Sequence, residues 1–287
     1  MNDYQTILVT GSNGQLGMCL QQVAQHYPNY KFIFTDSTTL DITNQEKVNQ
    51  FFSKNTIDYC INCAAYTAVD KAEQEEAQAM LVNCYGVKNL AEACKNFQVK
   101  LFHISTDYVF DGNGAIPYKE DDDTSPVNKY GQTKLAGEHA AFTNTQTIVL
   151  RISWVYAPFG KNFVKTMQRL MAEKPEISVV ADQYGSPTYA MDLADAIMKI
   201  IQANSFQSGI YHYSNQGVIN WYEFALAIKK WSNSSCEIKA IETVDYPTPA
   251  KRPAYSALDK SKFINTFGFS IPNWEESLAC YFNYKFY

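Results

Sequence analysis

The segment PVNKYGQTKLAGEHAAF, residues 126–142, sets Tyr130 four residues before Lys134. Four residues is about one helical turn, so in a helix both side chains lie on one face. A phenol beside an ammonium is an acid with an electrostatic partner. A free Tyr titrates near about 10, and a neighbouring positive charge favours its phenolate and eases proton transfer near neutral pH. The spacing alone does not establish this. The chain holds 20 Tyr. The same pairing recurs at Tyr27–Lys31, with Pro28 between its members, and at Tyr281–Lys285, where core packing or a surface edge explains it equally well.

A second motif supplies context. VTGSNGQLG follows an apolar β-branched run and opens a helical pattern, with Gly11, Gly14 and Gly17 in GxxGxxG spacing around Gln15 and Leu16. In a dinucleotide-binding turn the first glycine permits the tight bend. The second lets backbone approach a pyrophosphate at the helix N-terminus, and the third allows close packing of helix on strand. An ordinary strand-to-helix turn is the rival reading. Asp36 closes the second strand about 20 residues later, where a carboxylate binds a ribose hydroxyl and favours NADH; strand-end polarity would also place it there. No Arg stands near it to receive a 2′-phosphate, and Lys31 is at the wrong end of the strand.

These residues need a scaffold, and the first half of the chain reads as one. TILVTG, KFIFTD, IDYCINCAA, KLFHIST and QTIVLRI are short apolar runs that read as strands. Between them lie helical patterns: Leu16 to Tyr27, NQEKVNQFFSK, a long helix over Lys71–Phe97 that tolerates Gly86, and the Tyr130 segment. Alternating strands and helices imply a parallel sheet covered on both faces. After Trp154 the rhythm loosens to helices at Asn162–Ala172, Asp192–Ala203 and Trp221–Trp231, with the Pro- and Tyr-rich loops DQYGSPTY and YPTPAKRPAYSALD between them. The expected fold is α/β, a Rossmann-type doubly wound parallel sheet with a smaller C-terminal α/β substrate-binding region. Residues 1–158, with a returning segment near 188–215, form the expected dinucleotide-binding domain; 159–187 and 216–287 form the substrate domain.

Composition narrows the class. A 287-residue chain that is 46% hydrophobic can build a large core. A net charge of −5 without a basic block argues against a nucleic-acid partner. No apolar run reaches the roughly 18 residues of a membrane span, and MNDYQTILVTG lacks the basic start of a signal peptide, so the expectation is a cytoplasmic protein. Seven cysteines fit reduced thiols. Cys60 and Cys63 fall in a strand, where positions three apart face opposite ways. The four histidines are scattered and no metal cluster is expected.

Six segments together narrow the reading further: INCAAYTAVDKAE (Ile61–Glu73), STDYVFDGNGAIPYKEDD (Ser105–Asp122), NKYGQTKLAGE (Asn128–Glu138), RISWVYAPFGKNF (Arg151–Phe163), DQYGSPTYAMDLA (Asp182–Ala194) and RPAYSALD (Arg252–Asp259). With them the chain resembles, over nearly its whole length, the dTDP-4-dehydrorhamnose reductase family of the extended short-chain dehydrogenases/reductases. That resemblance implies reduction of the C4 ketone of a dTDP-4-keto-6-deoxyhexose by NADPH or NADH. It implies Tyr130 as proton donor, Lys134 as its charge partner and ribose ligand, and Thr106 as hydrogen-bond donor to the ketone. Asp107 and Trp154 would hold the sugar, and Arg252 would clamp the diphosphate unless it is only a surface Arg. Ala64, Ala65 and Tyr66 would run beside the cofactor, unless they serve only tight packing, and Asp41 and Ile42 would flank the adenine. Some members are Mg²⁺-linked dimers; the apparent ligand positions here carry Cys19 and Met191, poor ligands for a hard cation. The expectation is no metal and a monomer, with a homodimer as the alternative. A different nucleotide-sugar epimerase or ketoreductase, or a non-catalytic subunit of the type that regulates methionine adenosyltransferase, shares the same outline. Joint presence of Thr106, Tyr130 and Lys134 favours an enzyme.

Overall fold

A computed structural model describes residues 4–285. Residues 1–3, which begin the stretch read above for a signal peptide, and residues 286–287 lie outside the described residues. Chain order begins β1 (Gln5–Thr10), α1 (Gln15–Ala24), β2 (Tyr30–Phe34), α2 (Gln45–Lys54), β3 (Tyr59–Asn62), α3 (Val69–Ala72), α4 (Glu76–Met80), a π-helical turn (Leu81–Gly86) and α5 (Val87–Asn96). It continues with β4 (Lys100–Thr106), α6 (Lys129–Ala141) and β5 (Thr147–Ile152). The second half adds β6 (Val155–Tyr156), α7 (Phe163–Glu173), β7 (Glu176–Val180), β8 (Tyr184–Gly185), β9 (Thr188–Tyr189), α8 (Ala190–Gln202) and β10 (Gly209–Tyr213). Last come β11 (Ile219–Asn220), α9 (Trp221–Trp231), β12 (Glu237–Ile241), α10 (Ser261–Phe267) and α11 (Trp274–Asn283).

Six strands form one sheet in the order β10-β5-β4-β3-β1-β2, parallel throughout. The order reverses between β1 and β3, which opens the crevice where such sheets take ligands at their C-terminal ends. One face is packed by α1 and α8 through Leu16, Leu20, Ile197 and Ile201; the other by α2 and α5 through Val48, Phe52, Leu90 and Cys94. Cys63 belongs to the first face and Cys60 to the second, as period-two geometry requires. A separate apolar cluster, including Tyr156, Val164, Phe224 and Leu278, holds the short ladders β7–β12 and β6–β9 together with α7, α9 and α11.

The long helix read over Lys71–Phe97 is not continuous. It is broken after Ala72 and again by the π-helical turn at Leu81–Gly86. A side chain on Gly86 would strike the Ile42 side chain at 2.8 Å, so the glycine marks a close approach rather than a tolerated defect. The π turn has a use: it carries Asn83 inward, where it is fully buried. Helix α6 starts where it does because the Asn128 side chain accepts the Gly131 N–H at 2.8 Å.

Candidate active site

Four strand ends and one helix converge on the site. At the end of β1, Gly11 has a left-handed φ of 65°. A Cβ there would lie 2.5 Å from the Ala64 nitrogen just beyond β3, so only glycine fits between the two strand ends. Gly17 meets the same turn: its Cβ would fall 2.6 Å from the Gly11 oxygen. Gly14 is the N-cap of α1, and no side chain caps this helix end. Its first-turn N–H groups and the dipole's positive end face a cradle with no Cβ to fill it, which fits a pyrophosphate. Gln15 and Leu16 can contribute main chain only. The Gln15 side chain accepts Asn162 Nδ2 at 3.0 Å across the crevice, and Leu16 is buried in the core.

Asp36 lies beside this turn, but its carboxylate is already engaged. It accepts Thr38 N at 3.0 Å, Thr38 Oγ1 at 2.6 Å, Thr39 N at 3.0 Å and Asn13 Nδ2 at 2.8 Å. The Thr38 hydroxyl, followed by the Thr39 amide, holds it ionised down to about pH 2. Asp41 likewise organises its own turn, accepting Thr43 N at 3.0 Å and Thr43 Oγ1 at 2.7 Å. Ile42 is buried, with Asn89 donating to its carbonyl at 2.9 Å. Ala64, Ala65 and Tyr66 are half-buried beyond β3. Tyr66 N–H donates to Asn83 at 2.8 Å, Asn83 returns a bond to the Tyr66 carbonyl at 3.0 Å, and it also donates to Thr133 of α6 at 3.0 Å. Asn83 thus fastens the segment after β3 to the helix that carries Tyr130. Sequence reading passed over it; Gly86 interrupting a helical pattern was the available signal.

Tyr130 and Lys134 share one face of α6, as their spacing requires. The Tyr108 ring stands edge-on to the Tyr130 ring, with centroids 5.7 Å apart at 80°. The Thr106 hydroxyl, at the end of β4, lies near Tyr130 and donates to Asp107 at 3.0 Å. Burial, and secondarily the Asp107 carboxylate, push the Tyr130 phenol up to about 12; the Thr106 hydroxyl opposes them. Desolvation of the phenolate dominates this shift, and Lys134 is not among the groups that offset it. Lys134 is itself buried, and its ammonium donates to the Ile104 carbonyl at 2.6 Å. Burial lowers it to about 8, against the pull of Glu138. Asp107 is buried as well, and desolvation lifts its carboxyl to about 6.

The remaining two residues approach from the C-terminal half. Trp154 follows β5, whose Ile152 pairs in register with Thr106. Its φ is 48°, and its indole stacks on Trp221 with centroids 3.6 Å apart. Gly185 makes that possible: a Cβ there would lie 2.7 Å from the indole. Arg252 is no loose surface residue. Its Nη2 pairs with Asp70 at 2.9 Å, its Nη1 is buried without a partner, and its charge reaches Tyr108. The loop around it is pinned by Asn128, which donates to the Lys251 carbonyl at 2.9 Å. Thr106, Asp107, Tyr108, Tyr130 and Arg252 therefore meet in one place, while Asp36, Asp41 and Ile42 lie toward the β2 side of the sheet.

Cys19 is fully buried and its thiol is pushed up to about 12 by burial; Met191 packs half-buried between two apolar clusters. Among the described residues no three His, Cys, Asp or Glu side chains are grouped to hold a metal ion. No helix among them is long and apolar enough to cross a membrane.

The chain matches the family model described as the RmlD substrate binding domain over residues 5–285. It is 41% identical over 283 residues to the dTDP-4-dehydrorhamnose reductase of Aggregatibacter actinomycetemcomitans, covering 95% of this chain and 96% of that one. It is 40% identical over 277 residues to the spore coat polysaccharide biosynthesis protein SpsK of Bacillus subtilis (strain 168), covering 96% of each. The crystal structure of dTDP-4-dehydrorhamnose reductase from Bacillus anthracis in complex with NADP superposes with a TM-score of 0.93 at 40% identity, covering 98% of this chain and 99% of that one.

Proposed function

The chain belongs to the dTDP-4-dehydrorhamnose reductase family, and from that premise we propose that it reduces the C4 ketone of dTDP-4-dehydro-L-rhamnose to give dTDP-L-rhamnose. The coenzyme is NADPH or NADH, whose nicotinamide supplies the hydride when bound. The observation that carries this reading is Thr106 set beside Tyr130, near an uncapped glycine turn. The NADP-bound relative supports it.

Each residue has work in that reaction. The Gly11–Gly17 turn holds the pyrophosphate with main-chain N–H groups. Ala64, Ala65 and Tyr66 border the coenzyme, and Asp41 and Ile42 border its adenine. Thr106 donates to the ketone oxygen and steadies the charge that develops there. Tyr130, kept protonated by its buried position, gives its proton to that oxygen. Lys134 lies one turn further along α6, where its positive charge favours the phenolate that remains and its ammonium can reach a ribose hydroxyl. Asp107 and Trp154 orient the sugar. Arg252, with one buried nitrogen unpaired, offers a donor to the diphosphate.

Residues 1–158 with 188–215 form the coenzyme part in this reading, which the pairing of β10 with β5 supports. Residues 159–187 and 216–287 form the sugar-nucleotide part. The protein acts in the cytoplasm, where reduced coenzyme and nucleotide sugars occur together, and as a monomer that needs no metal. The buried Cys19 and packed Met191 support the last point; light scattering with and without a chelator tests it.

The test of function is oxidation of NADPH on adding dTDP-4-dehydro-L-rhamnose, with dTDP-rhamnose identified by mass spectrometry. Coenzyme loss no faster than with Tyr130→Phe would overturn the proposal.

A further inference from the structure

We propose that Glu138 is a positioning residue of this same site: from one turn beyond Lys134 its carboxylate bolts β4 and β5 to α6 and supplies the counter-charge that keeps Lys134 an ammonium inside the fold. The proposal rests on the reductase reading for its effect on turnover, though not for its geometry.

Tyr130, Lys134 and Glu138 follow one another at four-residue intervals along α6, so they descend one face of the helix from the site into the core. Glu138 is all but fully buried. Its carboxylate accepts the Ser105 hydroxyl at 2.5 Å, Arg151 Nε at 2.9 Å and Arg151 Nη2 at 2.8 Å. Ser105 and Arg151 are themselves register partners on β4 and β5. Ser105 lies between Ile104, whose carbonyl receives Lys134, and Thr106, which meets Tyr130. One carboxylate therefore fixes the strand segment against which both members of the Tyr–Lys pair are measured.

The charge count makes the same point. Lys134 and Arg151 are two buried cations, and the groups facing Lys134 offer little else to balance them. On α6 it shares a face with Tyr130 and Glu138, the latter paired with Arg151 of β5; the neutral His103 acts on it from β4 and the thiol of Cys63 from beyond β3. Burial drives both His103 and Cys63 toward their uncharged forms. Glu138 is the anion in this group. A buried ion pair is a weak stabiliser on its own, because desolvation offsets the attraction. Its value here is to hold a nearby lysine charged.

The experiment uses the full chain with an isotope label on the lysine ε-carbons and an NMR titration, alongside pH profiles of kcat/KM. The Lys134 signal is assigned by its loss in Lys134→Met. Lys260, also lowered to about 8 by burial, serves as an internal standard. Glu138→Gln leaves Arg151 unbalanced, so Lys134 should lose its proton about one pH unit lower, and the alkaline limb of the rate should follow. Arg151→Gln leaves Glu138 in excess, so both should move the opposite way. Opposite motion with Lys260 unmoved supports the proposal. No motion, or motion in one direction for both variants, overturns it. If one variant does not fold, the other decides. A parental Lys134 that titrates below neutrality overturns it with no variant at all. A parental chain that shows the lysine behaviour but no sugar-dependent coenzyme oxidation would instead overturn the reductase reading.

Discussion

Thr106 and Tyr130, 24 positions apart in the chain, stand close enough for the Thr106 hydroxyl to ease ionisation of the phenol. This proximity sets the end of β4 against the first turn of α6, so the two groups that would meet a ketone oxygen stand together before any ligand arrives. Preorganised donors of this kind need no rearrangement at the moment of reaction.

Tyr130→Phe removes the proposed proton donor and leaves the edge-on packing against Tyr108. Turnover should fall roughly 10²–10⁴-fold, with coenzyme affinity unchanged. Steady-state rates and a fluorescence titration with NADPH check both halves. Parental turnover in the variant would remove Tyr130 from the mechanism.

Asp107 gives a pH dependence with a defined sign. Its folded carboxyl titrates at about 6, above the unfolded value near 4, because burial penalises its charge. As pH rises between these values the unfolded chain releases its proton first, so this group's contribution to stability is lost across that window. The loss is on the order of 3 kcal/mol if fully expressed. Urea denaturation of parental and Asp107→Asn proteins at about pH 4 and about pH 7 should show the variant gaining relative stability at the higher pH. Parallel curves would refute the buried, proton-holding state.

Gly185→Ala should displace Trp154 from Trp221, since its Cβ would arrive 2.7 Å from the indole. Overpacking costs about 1–3 kcal/mol. The expected signature is a higher KM for the sugar nucleotide, changed tryptophan fluorescence and an unaltered coenzyme KM. A change confined to coenzyme KM would mean that Trp154 serves a different ligand.

Asp36 should set coenzyme choice through its charge. Both NADH and NADPH are expected to be oxidised. Asp36→Ala removes a negative group from the turn beyond β2, where the proposed adenosine ribose would lie, and frees the Thr38 and Thr39 amides that it now occupies. The ratio of kcat/KM for NADPH over NADH should rise by about tenfold, the scale of one removed unfavourable charge contact. Paired assays decide it; an unchanged ratio would show that Asp36 acts only as the organiser of its own turn.

The strands, the glycine turn and the Tyr130–Lys134 pair were legible because each is a local pattern whose period or spacing has a fixed geometric meaning. Asn83, Glu138 and the Asp70 partner of Arg252 were not. Asn83 meets Thr133 and Asp70 meets Arg252 across long stretches of chain, and nothing in either neighbourhood announces the other. Glu138 lies inside a quoted motif, yet its role depends on Ser105 and Arg151 arriving from two other strands. Gly185 shows the same limit: its need arises from the Trp154 indole lying over it. The Tyr130 phenol stands above its usual range for a related reason. Charge proximity can be read from spacing, but desolvation is a property of the finished fold.

The sheet's strand order also dictates a timetable. Strand β10 closes the edge beside β5, and α8 covers α1, yet both are encoded after the whole excursion through α7 and β6–β9. A ribosome, which releases the chain from its N-terminus, exposes the outer edge of β5 and the outer face of α1 long before β10 and α8 exist. Until Tyr213 emerges, the β5 edge offers unpaired main chain to any passing strand and the outer face of α1 stays bare. A message cut short within that interval yields a five-stranded sheet with one sticky edge for chaperones and proteases to clear.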